Sequence, residues 1–209
     1  MNNLLETIKS RRAIHNYIPN KPIPKETFKD LIEVTSFTPS WYNAQPWEFV
    51  IIEDKEKLKK LKEIAFWQEH VTQASAIIVV LWDTVIWRRA DELLKDWVKY
   101  WYCTEDKVPA YKNAFCKKRK EQRLREMCIR NVSLACMNLM IAAETMWLAT
   151  CPMLWFNQPS MSDFLSLPRD IIPIMMISIG YEDKWKEKHR LPRRKVEDML
   201  YFEEYKTST

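Results

Sequence analysis

Pro39-Ser40-Trp41-Tyr42-Asn43-Ala44-Gln45-Pro46-Trp47-Glu48-Phe49-Val50-Ile51-Ile52 is the stretch whose reading decides the fold. It follows an amphipathic segment, carries two side-chain amides two residues apart, and runs into an apolar strand. Amides both donate and accept hydrogen bonds, so Asn43 and Gln45 suit a ligand edge that alternates carbonyls with N–H groups; a plain polar turn before a strand is the alternative. Some twenty residues upstream, Ser10-Arg11-Arg12-Ala13-Ile14-His15 puts a cationic pair just after the first helical pattern. A phosphate needs cationic donors in fixed geometry, and arginine offers a planar fork. The same pair could instead simply end a helix, where positive charge suits the dipole.

Outward from these motifs the chain alternates helical and strand patterns without a repeat. Leu4, Leu5 and Ile8 form one stripe of a short helix over 2–10. Pro24 opens a helix over 25–36 with Phe28, Leu31, Ile32 and Val34 inward. A strand is predicted over 48–53 and a lysine-rich helix over 54–65. The β-branched run 75–81 reads as a strand covered on both faces. Residues 85–101 read as helix and 102–118 as irregular. Apolar residues from Leu124 to Met146 recur at three- and four-residue spacing, giving a long helix over 120–149 bordered by Asn131 and Asn138. A buried amide needs a partner, and a subunit interface is one source. A short strand over 152–156, a helical turn over 160–167 capped by Ser160 or Ser162, and a buried strand over 172–179 follow. The fold class is α+β in three layers, with helices on both sides of one sheet.

The 209 residues suit a single domain over 1–209, and 47% are hydrophobic, enough for a large core. No apolar run is long enough to span a membrane and the first ten residues hold no signal-like apolar core, so a cytoplasmic location is expected. Five cysteines, an odd number with no C-x-x-C pair, argue against a disulfide framework or zinc, and no metal is expected. Glu69 and His70 read as a solvated helix face. The net charge of +5 gathers at 117–130 and 184–195, but no nucleic-acid motif accompanies either run, so nucleic acid is not an expected partner. A Gly-rich dinucleotide loop is absent, which excludes a dedicated NAD domain.

Glycine is the anomaly. The chain holds one, Gly180, against ten tryptophans. Trp147 ends the long helical pattern, Trp82 ends a strand and Trp41 follows Pro39-Ser40 in a turn, places that favour a left-handed backbone cheap only for glycine. The codon UGA is read as tryptophan in some genetic codes and as glycine in others. Many of these tryptophans, Trp47 excepted, are therefore expected to stand for glycine. A native or designed tryptophan-rich chain is the alternative.

Taken together, residues 10–15 and 39–47 resemble the two flavin-binding signatures of the nitroreductase family, an Arg-Arg-Ser-x-Arg turn and a Pro-Ser-x-x-Asn-x-Gln-Pro-Trp segment. The resemblance implies a nitroreductase-like fold with a mainly antiparallel sheet, a long central helix, and a C-terminal extension, 181–209, that wraps a partner subunit. It implies FMN as cofactor, with Arg11, Arg12, Ala13 and His15 at its phosphate and ribityl end, and Ser40, Asn43 and Gln45 reaching the ring from the other subunit. Ala13 and His15 replace the family's Ser and Arg. Residues 151–157 resemble the segment passing the flavin ring, which adds Pro152, Leu154 and Trp155, the last where the family has glycine. Lys188 and Arg190 resemble the basic pair that closes over the phosphate.

The activity implied is ping-pong: NAD(P)H, a transient co-substrate, reduces the flavin, and a nitroaromatic, quinone or similar small molecule takes the electrons. The flavin carries the chemistry, so no catalytic side chain is expected. A flavin-deficient basic binding protein, or another flavoenzyme on the same scaffold such as a dehydrogenase or flavin-cleaving enzyme, are the alternatives.

Overall fold

The computed structural model describes residues 3–85, 89–116, 121–186 and 190–205. In chain order the elements are α1 (Leu4–Ser10), α2 (Lys25–Ser36), β1 (Trp47–Ile52), α3 (Lys55–Ile64), α4 (His70–Gln73), β2 (Ala76–Asp83), α5 (Ala90–Lys99), α6 (Val108–Cys116), α7 (Glu121–Thr145), β3 (Ala149–Met153), α8 (Gln158–Phe164) and β4 (Ile171–Gly180). The four strands form one antiparallel sheet in the order β1-β2-β4-β3.

The apolar run that becomes β2 organises the layers. Successive side chains of a strand point to opposite faces. Ala76, Ile78, Val80 and Trp82 enter an apolar cluster with α2, α5 and α7. Ile77, Val79 and Leu81 enter a second cluster with α3, α4 and α8. Helices therefore cover both faces, as the uninterrupted hydrophobic pattern implies, and the architecture is the expected α+β three-layer one.

Local chemistry sets the helix starts. Asp54 accepts a bond from the Lys57 N–H at 2.9 Å and opens α3. Asn157 does the same for α8, accepting from the Ser160 N–H at 3.0 Å, so neither Ser160 nor Ser162 is the cap.

Several sequence expectations change. β3 begins at Ala149 rather than 152 and takes in Pro152; it is an edge strand, where a proline's missing N–H can face away from the ladder. The segment expected to be irregular holds a 3₁₀ turn, Glu105–Lys107, and α6. Pro109 suits the first turn of α6, and Tyr111 packs edge-on against Trp97 of α5 at 5.2 Å. Val34 is exposed, as are Leu4, Leu5 and Ile8, so the α1 stripe is not covered by the described residues of the chain. Asn131 and Asn138 find partners inside the chain: the Asn131 side chain accepts from the Trp41 N–H at 2.8 Å, and Asn138 donates to Thr38 Oγ1 at 3.0 Å. Trp147 has the expected left-handed φ, but Trp41 and Trp82 do not; Trp82 lies inside β2, fully buried.

Gly180 is required for space. A Cβ there would lie 2.9 Å from Tyr17 Cδ1 and 3.0 Å from the Ser75 backbone N. Tyr17 cannot retreat easily: it is buried, with its hydroxyl 2.8 Å from Ser178 Oγ. Gly180→Ala should cost about 1–3 kcal/mol of stability, read as a lower urea midpoint; an unchanged midpoint would contradict this packing.

Candidate active site

The segment following α1 runs along the free edge of the sheet. Ala13 bridges to Thr150 of β3, and the Ile14 N–H donates to the Thr150 carbonyl at 3.0 Å. This holds Arg11 and Arg12 beside the C-terminal end of α7, where Ser10 Oγ bonds Glu144 Oε1 at 2.8 Å. Arg12 pairs with Glu182 at 3.0 Å. Arg190 donates from both terminal nitrogens to the carbonyls of Lys9 and Arg11, and so ties the tail to the end of α1. Lys188 lies outside the described residues.

Arg11 is the anomaly of this region. Its Nε and Nη1 are buried with no hydrogen-bond partner among the described residues. Burial lowers its pKa, Glu144 opposes that shift, and Arg190 and Arg193 add to the lowering. Arginine does not give up its proton in proteins, so a buried guanidinium with unmet donors remains in a cationic neighbourhood. An anion would satisfy both the donors and the charge.

His15 stacks on His70, with ring centroids 4.7 Å apart. No sequence signal marks this contact: the pattern places His70 on a solvated face, but it is buried, its Nε2 2.9 Å from Met153 Sδ. A four-residue helix carries too little periodicity to show which face turns inward. His15, His70 and Cys151 bring their ligand atoms within 4.8 Å of one another. Burial pushes the Cys151 thiol up to about 11, and Arg11 alone pulls it down. A protonated thiol beside guanidinium groups suits an anion better than a metal cation. Glu182 and Arg193 are further members of the site that the motif reading did not single out.

The amide turn lies elsewhere. Ser40 Oγ accepts from the Gln45 N–H at 3.0 Å, closing the turn, and Gln45 Nε2 donates to Asn43 Oδ1 at 3.2 Å. Ser40, Asn43 and Gln45 line a cavity of about 920 Å³ together with Leu93, Trp97 and Tyr102. This turn is anchored to α7 at Asn131, whereas the arginine segment is anchored at Glu144. Thirteen residues of helix separate those anchors by roughly 20 Å. The chain thus brings Arg11, Arg12, Ala13, His15 and Arg190 to the β3 edge beside Pro152, and holds Ser40, Asn43 and Gln45 apart from them. Leu154 and Trp155 follow β3, both exposed, with the Trp155 carbonyl accepting from Gln68 Nε2 at 2.9 Å.

The fold is shared. The Nitroreductase family profile matches residues 8–181, and the chain belongs to that family and to its nitroreductase-type oxidoreductases. YodC of Bacillus subtilis (strain 168), provisionally named an NAD(P)H nitroreductase, is 30% identical over 96% of this chain and 100% of its own length. The crystal structure of ydfN from Bacillus subtilis, provisionally a nitroreductase, superposes with a TM-score of 0.89 at 26% identity, covering 95% of this chain and 97% of that one. A structure from Exiguobacterium sibiricum, provisionally a nitroreductase and in complex with FMN, has a TM-score of 0.87 at 24% identity, covering 97% and 98% of the two chains. No helix among the described residues is long and apolar enough to cross a membrane.

The buried imidazole makes stability depend on pH. Burial first, and His15 second, lower the His70 pKa from 6.5 to about 4. The unfolded chain therefore takes up the proton first. The contribution is complete above the unfolded value of 6.5 and is lost as pH falls toward 4. The denaturant midpoint should drop across that window, and His70→Gln should flatten the drop. Equal slopes in the two proteins would mean that His70 is not held neutral by the fold.

Proposed function

We propose that two copies of this chain form an FMN-dependent oxidoreductase that takes reducing equivalents from NAD(P)H and passes them to a nitroaromatic, quinone or similar small acceptor. The observation that carries the proposal is the buried Arg11 guanidinium with two unmet nitrogens. It fits the phosphate of FMN, with Arg12 and Arg190 supplying further positive charge at the same edge. When bound, FMN would accept a hydride from NAD(P)H and deliver electrons to the acceptor in a second, separate half-reaction.

The protein's own part is to bind and orient. Arg11, Arg12 and His15 hold the phosphate and ribityl end, Ala13 gives close backbone approach, and Lys188 and Arg190 close the tail over it. Pro152, Leu154 and Trp155 border the ring. Ser40 shapes the turn from which Asn43 and Gln45 present amides to the ring's polar edge. The roughly 20 Å between the two motifs' anchors along α7 supports a site completed by the partner's amide turn. The uncovered apolar side chains of α1, with Phe37 after α2 and Ile129, Leu134 and Met137 on α7, support a homodimer. Leu191, Leu200 and Phe202 are exposed in the tail, which supports residues 181–209 docking on that partner. The FMN-bound relative from Exiguobacterium supports the choice of cofactor.

Arg11→Ala should remove a charge-assisted bond worth roughly 1.5–3 kcal/mol and weaken FMN binding about 10- to 100-fold, measured by fluorescence quenching of added FMN. Unchanged affinity would make Arg11 a structural cation. Flavin released by heat from the purified protein should chromatograph as FMN, and FAD as the main species would overturn the cofactor assignment. Light scattering should find the flavin-loaded protein as a dimer; a flavin-loaded monomer would contradict the two-chain site.

A further inference from the structure

The ten left-handed non-glycine residues among those described include Trp67 (φ 63), Trp101 (φ 62) and Trp147 (φ 62), and no glycine has positive φ. Tryptophan makes up ten of 209 residues, so ten positions drawn at that frequency would hold about half a tryptophan. A bulky side chain at such a φ is an outlier that needs a cause.

Trp101 and Trp147 occupy equivalent places at two helix ends. After α7, the Leu148 N–H donates to the Ala143 carbonyl at 2.9 Å and the Trp147 N–H to the Glu144 carbonyl at 3.2 Å. After α5, the Tyr102 N–H donates to the Trp97 carbonyl at 2.7 Å and the Trp101 N–H to the Val98 carbonyl at 3.1 Å. This paired bonding closes a helix through one left-handed residue, usually glycine, because no Cβ then meets the backbone. Trp67 ends α3 in a related way, its N–H donating to the Lys62 carbonyl at 2.8 Å behind a left-handed Phe66.

Burial does not explain the strain. Trp67, Trp101 and Trp147 are 66%, 94% and 78% exposed. The Trp67 ring has a lysine, Lys62, 5.9 Å above it, a weak contact at an exposed site. Trp47, Trp82 and Trp97 are buried in the apolar clusters or the sheet, and none is left-handed. All three left-handed tryptophans are thus exposed and every buried indole sits on ordinary backbone, whereas Trp155 and Trp185 are exposed without a left-handed φ. A docking surface built from exposed indoles would account for the exposure but not for the left-handed backbone.

We infer that residues 67, 101 and 147 are glycine in the polypeptide made by the source cell, and that the codon at each is UGA, read there as glycine. The same inference extends to residue 155. Trp155 is 77% exposed after β3, its ring edge-on to Phe66 at 6.2 Å. This extension rests on the proposed flavin site, in which residue 155 borders the ring and an indole would occupy its face.

Peptide mass spectrometry of the protein purified from its source cells, with the gene's codons read alongside, tests the assignment. Glycine at 67, 101 and 147, each from UGA, is expected; tryptophan in the native peptides, or a UGG codon at any of the three, would overturn it. In recombinant full-length protein, the triple variant Trp67→Gly, Trp101→Gly, Trp147→Gly should melt roughly 5–15 °C higher than the chain carrying tryptophan. An equal or lower melting temperature would count against the assignment. Adding Trp155→Gly should tighten FMN binding at least about tenfold. If the native peptide carries glycine at 155 and FMN affinity does not change, the flavin reading fails while the glycine assignment stands. Tryptophan at 155 in the native peptide would overturn the extension.

Discussion

Arg11 is held half-buried beside β3 with two nitrogens that no acceptor among the described residues meets, and the rest of the proposed site is arranged around that fact. Its charge cannot be removed by losing a proton, and its neighbours Arg190 and Arg193 add to the positive potential rather than cancel it. Glu144 is the opposing charge, but its Oε1 is engaged with Ser10. Such a guanidinium destabilises the fold unless something anionic arrives, so the proposed ligand binding and the local energetics make one statement. The bridge between Ala13 and Thr150 fixes this geometry, because it ties the arginine segment to the sheet edge by its backbone rather than by mobile side chains.

The sheet makes that edge available. β2 is buried on both faces and takes β1 and β4 as neighbours, which leaves β3 outermost with one side unpaired by any strand among the described residues. An unpaired edge is normally a liability that a protein covers. Here the segment after α1 covers part of it and carries the cationic pair to the same place. α7 then serves as a ruler, with the amide turn anchored at Asn131 and the arginine segment at Glu144. One chain therefore presents the two motifs to different surroundings, a geometry suited to the proposed twofold pairing.

Much of the fold was legible because its signals are local or periodic. The run 75–81 reads as a doubly covered strand from its β-branched content alone and becomes β2 at Ala76–Asp83, and α2 starts and ends where the sequence places it, at 25 and 36. The two motif strings identified the family from residues that sit close together in sequence. What the sequence hid depends on contacts between distant residues. His70 shows no pattern in a four-residue helix, and its burial against His15 and Met153 arises only when the chain folds. The pairing of Arg12 with Glu182 spans 170 residues. For Asn131 and Asn138 a subunit interface is one source of partners in the sequence reading, yet Trp41 and Thr38 serve within the chain. The excess of tryptophan was plain from composition, but only backbone dihedrals separate strained indoles from packed ones. Trp41 and Trp82, suspected from their neighbours, fall on the ordinary side.

Competition between FMN and riboflavin tests the central claim most directly, since the two differ only in the phosphate that Arg11 is proposed to satisfy. Titrating the apoprotein with each should show FMN binding at least about tenfold more tightly, in line with the strength of a charge-assisted bond, and Arg11→Ala should bring the two affinities together. Equal affinities in the unmodified protein would contradict the account, because the buried guanidinium would then have some other partner.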